Sequence, residues 1–283
     1  MDFRVSCELE YWVGDPTSFL FALQCMRTGG QQPLHEQLSV QPFIQVEELT
    51  SGLGGNRLSR FNTMNSGSLK LRYQADVRTS FRLAPAFSQG VSDPGLLSPE
   101  AIPFLFPSRY CQSDSVRNLA MDLFGNLTKP HQIAAGVSDW IFKNIAYVGG
   151  SSGESSSALN TLEQRQGVCR DFAHLGITFC RALNLPARYL TCYAYQLNPQ
   201  DFHACFEVFI DGWWYVFDAT RLAPMNGLVK IATGRDAADV AICTIFGNPA
   251  LISSFVSCSC QNPGFTPITP DSLAAANQVI ALL

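Results

Sequence analysis

Apolar and polar side chains alternate along two early segments of the chain with a period of two residues. From Phe3 to Val13 the odd positions are apolar, and the even positions include Arg4, Glu8 and Glu10. The second segment, 69–77, alternates in the same way. This period is typical of strands with one buried side and one solvent-facing side. Together with apolar runs at 18–23 and 43–46, it predicts an N-terminal antiparallel β-sandwich-like domain.

A proline-rich stretch separates this region from the rest of the chain. Five prolines lie between positions 85 and 107, and proline supplies no backbone N–H to a strand or a helix interior. We therefore predict a domain boundary near residue 95, with a β domain over 1–95, a second domain over 96–250 and a C-terminal extension over 251–283. The extension shows no familiar motif, and a short helix from Asp271 to Leu283 is predicted within it.

Apolar residues with helical spacing follow the boundary. Asp114 can cap a helix that Gly125 ends, and Pro130 can open a second one. Apolar residues at 168, 172, 175, 179 and 183 predict a buried helix from 169 to about 183. Residues 149–160 before it are small and mostly glycine or serine, which indicates a mobile loop, either a simple connection or a substrate gate. Helices followed by strands indicate the α+β class.

Composition narrows the possible partners. The 283 residues carry a net charge of −4 and a pI near 5.5, so there is no basic surplus for binding nucleic acid. We find neither an export signal nor about 18 consecutive apolar residues, and therefore expect a cytoplasmic protein with no membrane partner. The ten cysteines are then expected to be reduced thiols. Because the sequence lacks CxxC and HExxH spacing, we predict no metal and no cofactor.

Cys169 stands at the first turn of the third predicted helix. The unpaired N–H groups of that turn and the positive end of the helix dipole favour a thiolate and can receive a developing oxyanion. Asp171 is an anion close by and opposes the thiolate, so the sulfur needs a cationic partner. Ala173, Gly176 and Cys180 give this side of the helix small residues, against which a sheet can lie.

His203 is the best placed of the four histidines. His174 lies about 140° around the helix from Cys169 and faces elsewhere. His203 begins a strand that a turn at 211–212 folds back into a second strand, which ends at Asp218. A two-residue turn makes His203 and Asp218 diagonal neighbours on one face, where the carboxylate can orient the imidazole. A three-residue turn would place them on opposite faces.

Each of these three residues has a structural explanation when taken alone. A cysteine at a helix start is usually a packing residue, a strand histidine is usually satisfied structurally, and an aspartate after a strand often forms a turn. Their ordered combination favours a nucleophilic triad of Cys169, His203 and Asp218. In contrast, we interpret Arg235, Asp236 and Asp239 as a helix start and not as substrate contacts.

These residues resemble a known family, the bacterial transglutaminase-like proteins. The resemblance lies in four runs, in the expected order: Gly167–His174, Leu185–Tyr189, Phe202–Ala204 and Trp214–Thr220. Weaker similarity at 107–111 and 234–240, with the N-terminal β region, extends it to about residue 250.

The resemblance implies a papain-like core, in which a helix bearing the nucleophilic cysteine packs on an antiparallel sheet. It implies that Cys169 is the nucleophile, that His203 is the general base and acid, and that Asp218 orients the imidazole. The second oxyanion donor stays open among four residues: Trp140, Tyr147, Gln164 and Gln166.

We therefore predict a transglutaminase-like cysteine hydrolase, a protease or amidase, that acts on a peptide or protein through a thioester acyl-enzyme. The sequence has no calcium-ligand run of the D-x-[DN]-x-[DN]-G kind, which favours hydrolysis over amine transfer. Because a fold does not fix a reaction, two alternatives remain: an amine-accepting transglutaminase and a catalytically silent binding or scaffold protein.

Overall fold

The computed structural model describes residues 1–51, 55–86 and 94–283, which form strands and helices in the following order. The strands are β1 Asp2–Val13, β2 Thr17–Phe21, β3 Gln31–Gln41, β4 Glu47–Thr50, β5 Arg57–Thr63, β6 Gly67–Thr79, β7 Phe81–Pro85, β8 Ala146–Tyr147, β9 Gln166–Gly167, β10 Ala187–Ala194, β11 Phe202–Ile210, β12 Trp213–Phe217, β13 Leu228–Gly234, β14 Cys243–Phe246, β15 Ala250–Cys260 and β16 Gln278–Leu282. The α-helices are α1 Arg117–Phe124, α2 Pro130–Asn144, α3 Ala158–Gln164, α4 Cys169–Ala182 and α5 Pro270–Ala276.

Two four-stranded antiparallel sheets form the N-terminal sandwich. Their strand orders are β15-β1-β6-β3 and β14-β2-β5-β4. The odd residues of β1 point into the core, and Tyr11 packs its ring against Phe19 and Phe21 of β2 at 5.5 and 6.2 Å. The alternating pattern of β1 and β6 thus reports the buried faces correctly. The apolar segment 43–46 was also predicted to contribute to the β region. It is not a strand, because β3 ends at Gln41 and Phe43 is 90% exposed.

The C-terminal residues return to the N-terminal sheets. Strand β15 pairs antiparallel with β1, β14 pairs with β2, and β16 pairs with β7. The helix predicted from Asp271 to Leu283 is wrong in its second half. Helix α5 ends at Ala276 because Asn277 adopts a left-handed conformation (φ 51°), and the apolar residues that follow form β16. The division of the chain at residues 95 and 250 stays a prediction.

A third four-stranded antiparallel sheet, with the order β12-β11-β10-β13, supports helix α4. The helix runs over Cys169–Ala182, as its apolar spacing predicts. The predicted two-residue turn also forms: Ile210 pairs with Trp213, and Asp211 and Gly212 both have positive φ, as a type I′ turn requires. This turn sets the register of β11 and β12, and with it the positions of His203 and Asp218.

Side-chain amides from the N-terminal sandwich cover the open edge of β13. Gln31 donates from Nε2 to the Lys230 carbonyl and accepts the Lys230 N–H, at 2.8 and 2.7 Å. Asn56 makes the same pair of hydrogen bonds with Thr233, at 2.7 and 2.9 Å. An unpaired strand edge is a template for aggregation. The N-terminal sandwich therefore completes the sheet that carries His203.

Gly176 sets the distance between α4 and β11. A Cβ atom added there would lie 2.5 Å from the Phe206 ring, so an alanine must displace either the helix or the strand. We expect Gly176→Ala to lower the free energy of unfolding by about 1–3 kcal/mol, as overpacking does. Gly149→Ala is the matched control, since nothing lies within 4 Å of its Cβ position. Urea denaturation of both variants checks this, and equal stabilities would contradict the packing argument.

Candidate active site

Cys169 is the first residue of α4 and is only partly buried. The carboxylate of Asp171 caps this helix: it accepts the Val168 N–H at 2.8 Å and the Ser152 hydroxyl at 2.5 Å. The carboxylate expected to oppose a thiolate is therefore engaged by the cap and the neighbouring loop. The sulfur stands at the helix N-terminus, where unpaired N–H groups favour negative charge.

His203 and Asp218 form a hydrogen-bonded pair in the protein interior. His203 Nε2 donates to Asp218 Oδ2 at 2.8 Å, and each residue is 1% exposed. The second carboxylate oxygen, Oδ1, accepts the N–H and the hydroxyl of Thr220, at 2.8 and 2.7 Å. The carboxylate is thus fixed by two partners and fixes the imidazole in turn. The diagonal placement predicted from the hairpin register is confirmed.

The pair is arranged so that both groups carry charge. Burial lowers the pKa of His203, but the Asp218 carboxylate outweighs burial and holds this pKa well above its ordinary value. Burial raises the pKa of Asp218, and the imidazolium outweighs it and keeps that pKa below its ordinary value. The histidine's contribution to stability is lost as pH rises through its raised pKa, and the aspartate's is lost as pH falls through its lowered pKa. The ion pair therefore stabilises the fold between these two limits.

Cys169 and His203 border the same cavity. Nδ1 of His203 is buried and has no hydrogen-bond partner within the described ranges. The Cys169 thiol is nevertheless one of the groups that raise the pKa of His203. Such contacts are often long in a free enzyme and shorten when substrate binds.

Four residues were candidates for the second oxyanion donor. Of these, Tyr147 interacts with the Cys169 sulfur. Strand β8 pairs in parallel with β9, which sets Tyr147 opposite Gly167, two residues before Cys169. Burial, and then the charge of Cys169, raise the pKa of Tyr147 to about 12. Its phenol therefore keeps its proton and can donate a hydrogen bond. Trp140 instead packs in the core against the rings of Phe124 and Phe179.

A cleft of about 810 Å³ opens over Cys169 and His203. One wall is the segment 237–249, and the facing wall includes Tyr110 and Glu154. The loop predicted as mobile is attached to this wall by several hydrogen bonds. Arg170 donates to the carbonyls of residues 153 and 156, and the Tyr110 hydroxyl donates to the Glu154 carbonyl at 2.8 Å. Glu154 is part of the cleft lining, so the loop borders the cleft.

His174 and Asp236 hold the cleft walls in place, a role that the sequence did not reveal. The His174 ring lies between Tyr110 and Tyr189, at 5.0 and 5.1 Å, and its Nε2 accepts the Ala237 N–H at 3.1 Å. Buried Asp236 accepts the Tyr110 N–H at 2.8 Å. The helix start expected at 235–239 is wrong, because these residues form a turn. The contacts of His174 are thus with the cleft walls.

The fold and this site place the chain in a known class. It belongs to the transglutaminase-like superfamily: the family model "Transglutaminase-like superfamily" matches residues 117–219, which include Cys169, His203 and Asp218. The model "Bacterial transglutaminase, N-terminal domain" matches residues 1–89. The predicted α+β fold, a transglutaminase-like core preceded by a β domain, is confirmed.

Among solved structures, the chain is similar to "Putative Cysteine Protease from Cytophaga hutchinsonii". The two are 43% identical with a TM-score of 0.95, over 100% of this chain and 98% of the other. This chain is also 28% identical over 121 residues to "Uncharacterized protein ML0607" of Mycobacterium leprae (strain TN). That match covers 40% of this chain and 43% of the Mycobacterium protein, so the chain spans less than half of this curated relative. Within the described ranges, no helix combines the length and hydropathy needed to cross a bilayer.

Proposed function

We propose that this protein is a thiol hydrolase that cleaves amide bonds of peptides or proteins through a thioester. The observation that carries the proposal is the buried His203–Asp218 pair, with its 2.8 Å hydrogen bond and an Nδ1 that has no partner among the described residues. Cys169 acts on the same ring, since it helps to raise the pKa of His203. This is the arrangement of nucleophile, base and orienting carboxylate that acyl transfer requires. The name of the Cytophaga protein supports the choice of a protease.

The first half of the reaction forms the acyl-enzyme. The Cys169 thiolate attacks the amide carbonyl, and the first-turn N–H groups of α4 receive the developing oxyanion. The Tyr147 hydroxyl is our choice for the second donor, because it lies beside the sulfur and keeps its proton. The His203 imidazolium then gives its Nδ1 proton to the leaving amine, and Asp218 stabilises the positive charge until that transfer.

The second half releases the acyl group. A water molecule in the cleft loses a proton to His203 Nδ1 and attacks the thioester, which frees the acid and restores the thiolate. If an amine enters instead of water, the product is a new amide. The cleft of about 810 Å³ is open enough to admit either acceptor, so the acceptor must be identified by experiment.

Hydrolysis and amine transfer are separated by their products. We expect a glutamine-containing peptide, incubated with the protein and a fluorescent primary amine, to yield free acid and little labelled peptide. Mass spectrometry of the peptide distinguishes the two, since amine incorporation and hydrolysis change its mass differently. Incorporation without free acid would favour the transglutaminase alternative. No turnover of any amide substrate, with slow thiol labelling, would favour a scaffold protein.

A reducing compartment, the cytoplasm, is our proposed location. Seven of the ten cysteines are buried thiols, at positions 7, 25, 111, 180, 192, 205 and 258. They pack as small apolar residues, and burial raises the pKa of the thiols of Cys7, Cys25 and Cys111 to about 11, 12 and 12. Thiols of this kind are typical of proteins that are kept reduced.

A further inference from the structure

A third potential ligand side chain lies against the His203–Asp218 pair. Cys205 is two residues beyond His203 on β11 and is 1% exposed. A ring nitrogen of His203, the sulfur of Cys205 and a carboxylate oxygen of Asp218 all lie within 4.8 Å of one another. The hairpin register places Cys205 opposite Asp218, but the sequence has no CxxC or HExxH spacing that would mark these residues as metal ligands.

A cavity other than the substrate cleft reaches the cluster. A second cavity, of about 430 Å³, contacts Asp218 and its neighbours Val216 and Phe217. Its other walls come from α2, α5 and β16, including Ser138 and Ile280. The substrate cleft contacts His203 and does not contact Asp218. A small hydrated ion therefore has a route to the carboxylate that avoids Cys169.

We propose that His203, Cys205 and Asp218 form an inhibitory site for a thiophilic divalent cation, with Zn²⁺ as the representative ion. One nitrogen, one sulfur and one oxygen are the donors that Zn²⁺ takes in proteins, and three protein ligands with one water is a common zinc coordination. Calcium and magnesium prefer oxygen ligands and are disfavoured here. Tetrahedral zinc at bond lengths of about 2.0–2.3 Å holds its ligand atoms roughly 3.5 Å apart, so the farthest pair must close by about 1 Å.

Binding of the ion exchanges protons and changes no oxidation state. The Cys205 thiol loses its proton as the Zn–S bond forms, and His203 Nε2 loses the proton it shares with Asp218 as the Zn–N bond forms. Asp218 Oδ2 accepts the ion in place of that hydrogen bond. Two protons leave to solvent, and water ligands are displaced from the ion. Thiolate and carboxylate together balance the two positive charges.

Inhibition follows from the nitrogen that the ion occupies. With Zn²⁺ on Nε2, the neutral ring keeps its remaining proton on Nδ1, the nitrogen that acts as the base in the proposed mechanism. That nitrogen can then no longer act as a base, and Asp218 no longer stabilises an imidazolium. Loss of activity rests on the proposed hydrolase function, but binding of the ion does not. The two are therefore tested separately.

The binding test uses the Cys169→Ser chain, which removes the sulfur that zinc would otherwise take with His203 in the substrate cleft. Calorimetric titration with Zn²⁺ is expected to give one site, and repeating it in two buffers of different ionisation enthalpy is expected to show proton release. Adding Cys205→Ala is expected to weaken binding at least about 100-fold. Cys180→Ala is the matched control, because Cys180 is also fully buried but lies on α4, outside the cluster. We expect it to change binding less than about threefold.

Cobalt(II) provides a readout that does not depend on the Cys205→Ala variant folding. Added to the Cys169→Ser chain, Co²⁺ is expected to produce a thiolate-to-cobalt charge-transfer band. Absence of this band, or equal zinc affinity with and without Cys205, would overturn the proposed site. In the chain with Cys169 intact, Zn²⁺ is expected to inhibit hydrolysis at the concentration at which it binds. Binding without inhibition would overturn the regulatory role alone, and absence of hydrolysis in metal-free protein would count against the proposed function and not against the site.

Discussion

Replacing Cys169 with alanine is expected to lower the rate of amide hydrolysis by about 10⁴–10⁶-fold, the range found when a triad nucleophile is removed. The reason is chemical: without the sulfur no thioester forms, and the positioned histidine can only assist direct attack by water. The fold should be retained, because Cys169 is partly exposed and alanine is a good helix former. Circular dichroism and the thermal midpoint check the fold, and kcat/KM checks the chemistry.

Cys243 offers a matched control in the same cleft. It lines the cleft and is also partly buried, but burial raises the pKa of its thiol to about 12, so that it stays protonated at neutral pH. Cys243→Ala is expected to keep activity within a few-fold of the unchanged chain. A Cys169→Ala variant that retains a tenth or more of the activity, or a larger loss in Cys243→Ala, would show that the nucleophile has been misassigned.

Asp218→Asn is expected to reduce kcat/KM by about 10⁴-fold, the effect of the corresponding change in other triads. The amide keeps the shape of the carboxylate but removes the charge that holds the pKa of His203 well above its ordinary value. The imidazolium that protonates the leaving amine then exists only at lower pH. The alkaline limb of the pH profile is therefore expected to move to lower pH, in addition to the loss of rate.

The control for this variant is Asp211→Asn in the turn of the same hairpin. Asp211 is exposed and has a φ of 49°, a conformation that asparagine tolerates. It should leave both the rate and the alkaline limb unchanged. A shift of the limb in Asp218→Asn separates an electrostatic role from a structural one, because misfolding lowers activity without moving the limb. An unmoved limb would show that Asp218 does not set the protonation of His203.

The parts of the fold predicted from sequence are those with strong periodicity. The alternation of β1 and β6, the helical spacing of α4 and the turn at Asp211 and Gly212 all correspond to elements of the structure. Strand β3 was missed because its eleven residues are mainly polar and lie at a sheet edge, where no apolar alternation is needed. Strand β16 was taken for helix because a short apolar run does not distinguish a strand from a helix.

The candidate site was likewise predicted from the sequence only in part. Two-residue hairpin geometry was enough to place His203 next to Asp218, since register is a local property of the turn. The cleft walls depend on contacts between distant segments, such as Asp236 with Tyr110 and His174 with Ala237. No pattern along the chain encodes such pairings. The hairpin register also places Cys205 opposite Asp218, but no spacing of ligand residues along the chain marks this cluster as a metal site.

The account depends most on Cys169 being a nucleophile activated by His203, and the rate of iodoacetamide labelling at neutral pH tests this most directly. Peptide mass spectrometry, read over time, follows each of the ten cysteines separately. We expect one fast site, Cys169, and at least about tenfold slower labelling of that site in His203→Ala, because the thiolate loses its cationic partner. Slow labelling of Cys169 that is unchanged by removal of His203 would contradict the account.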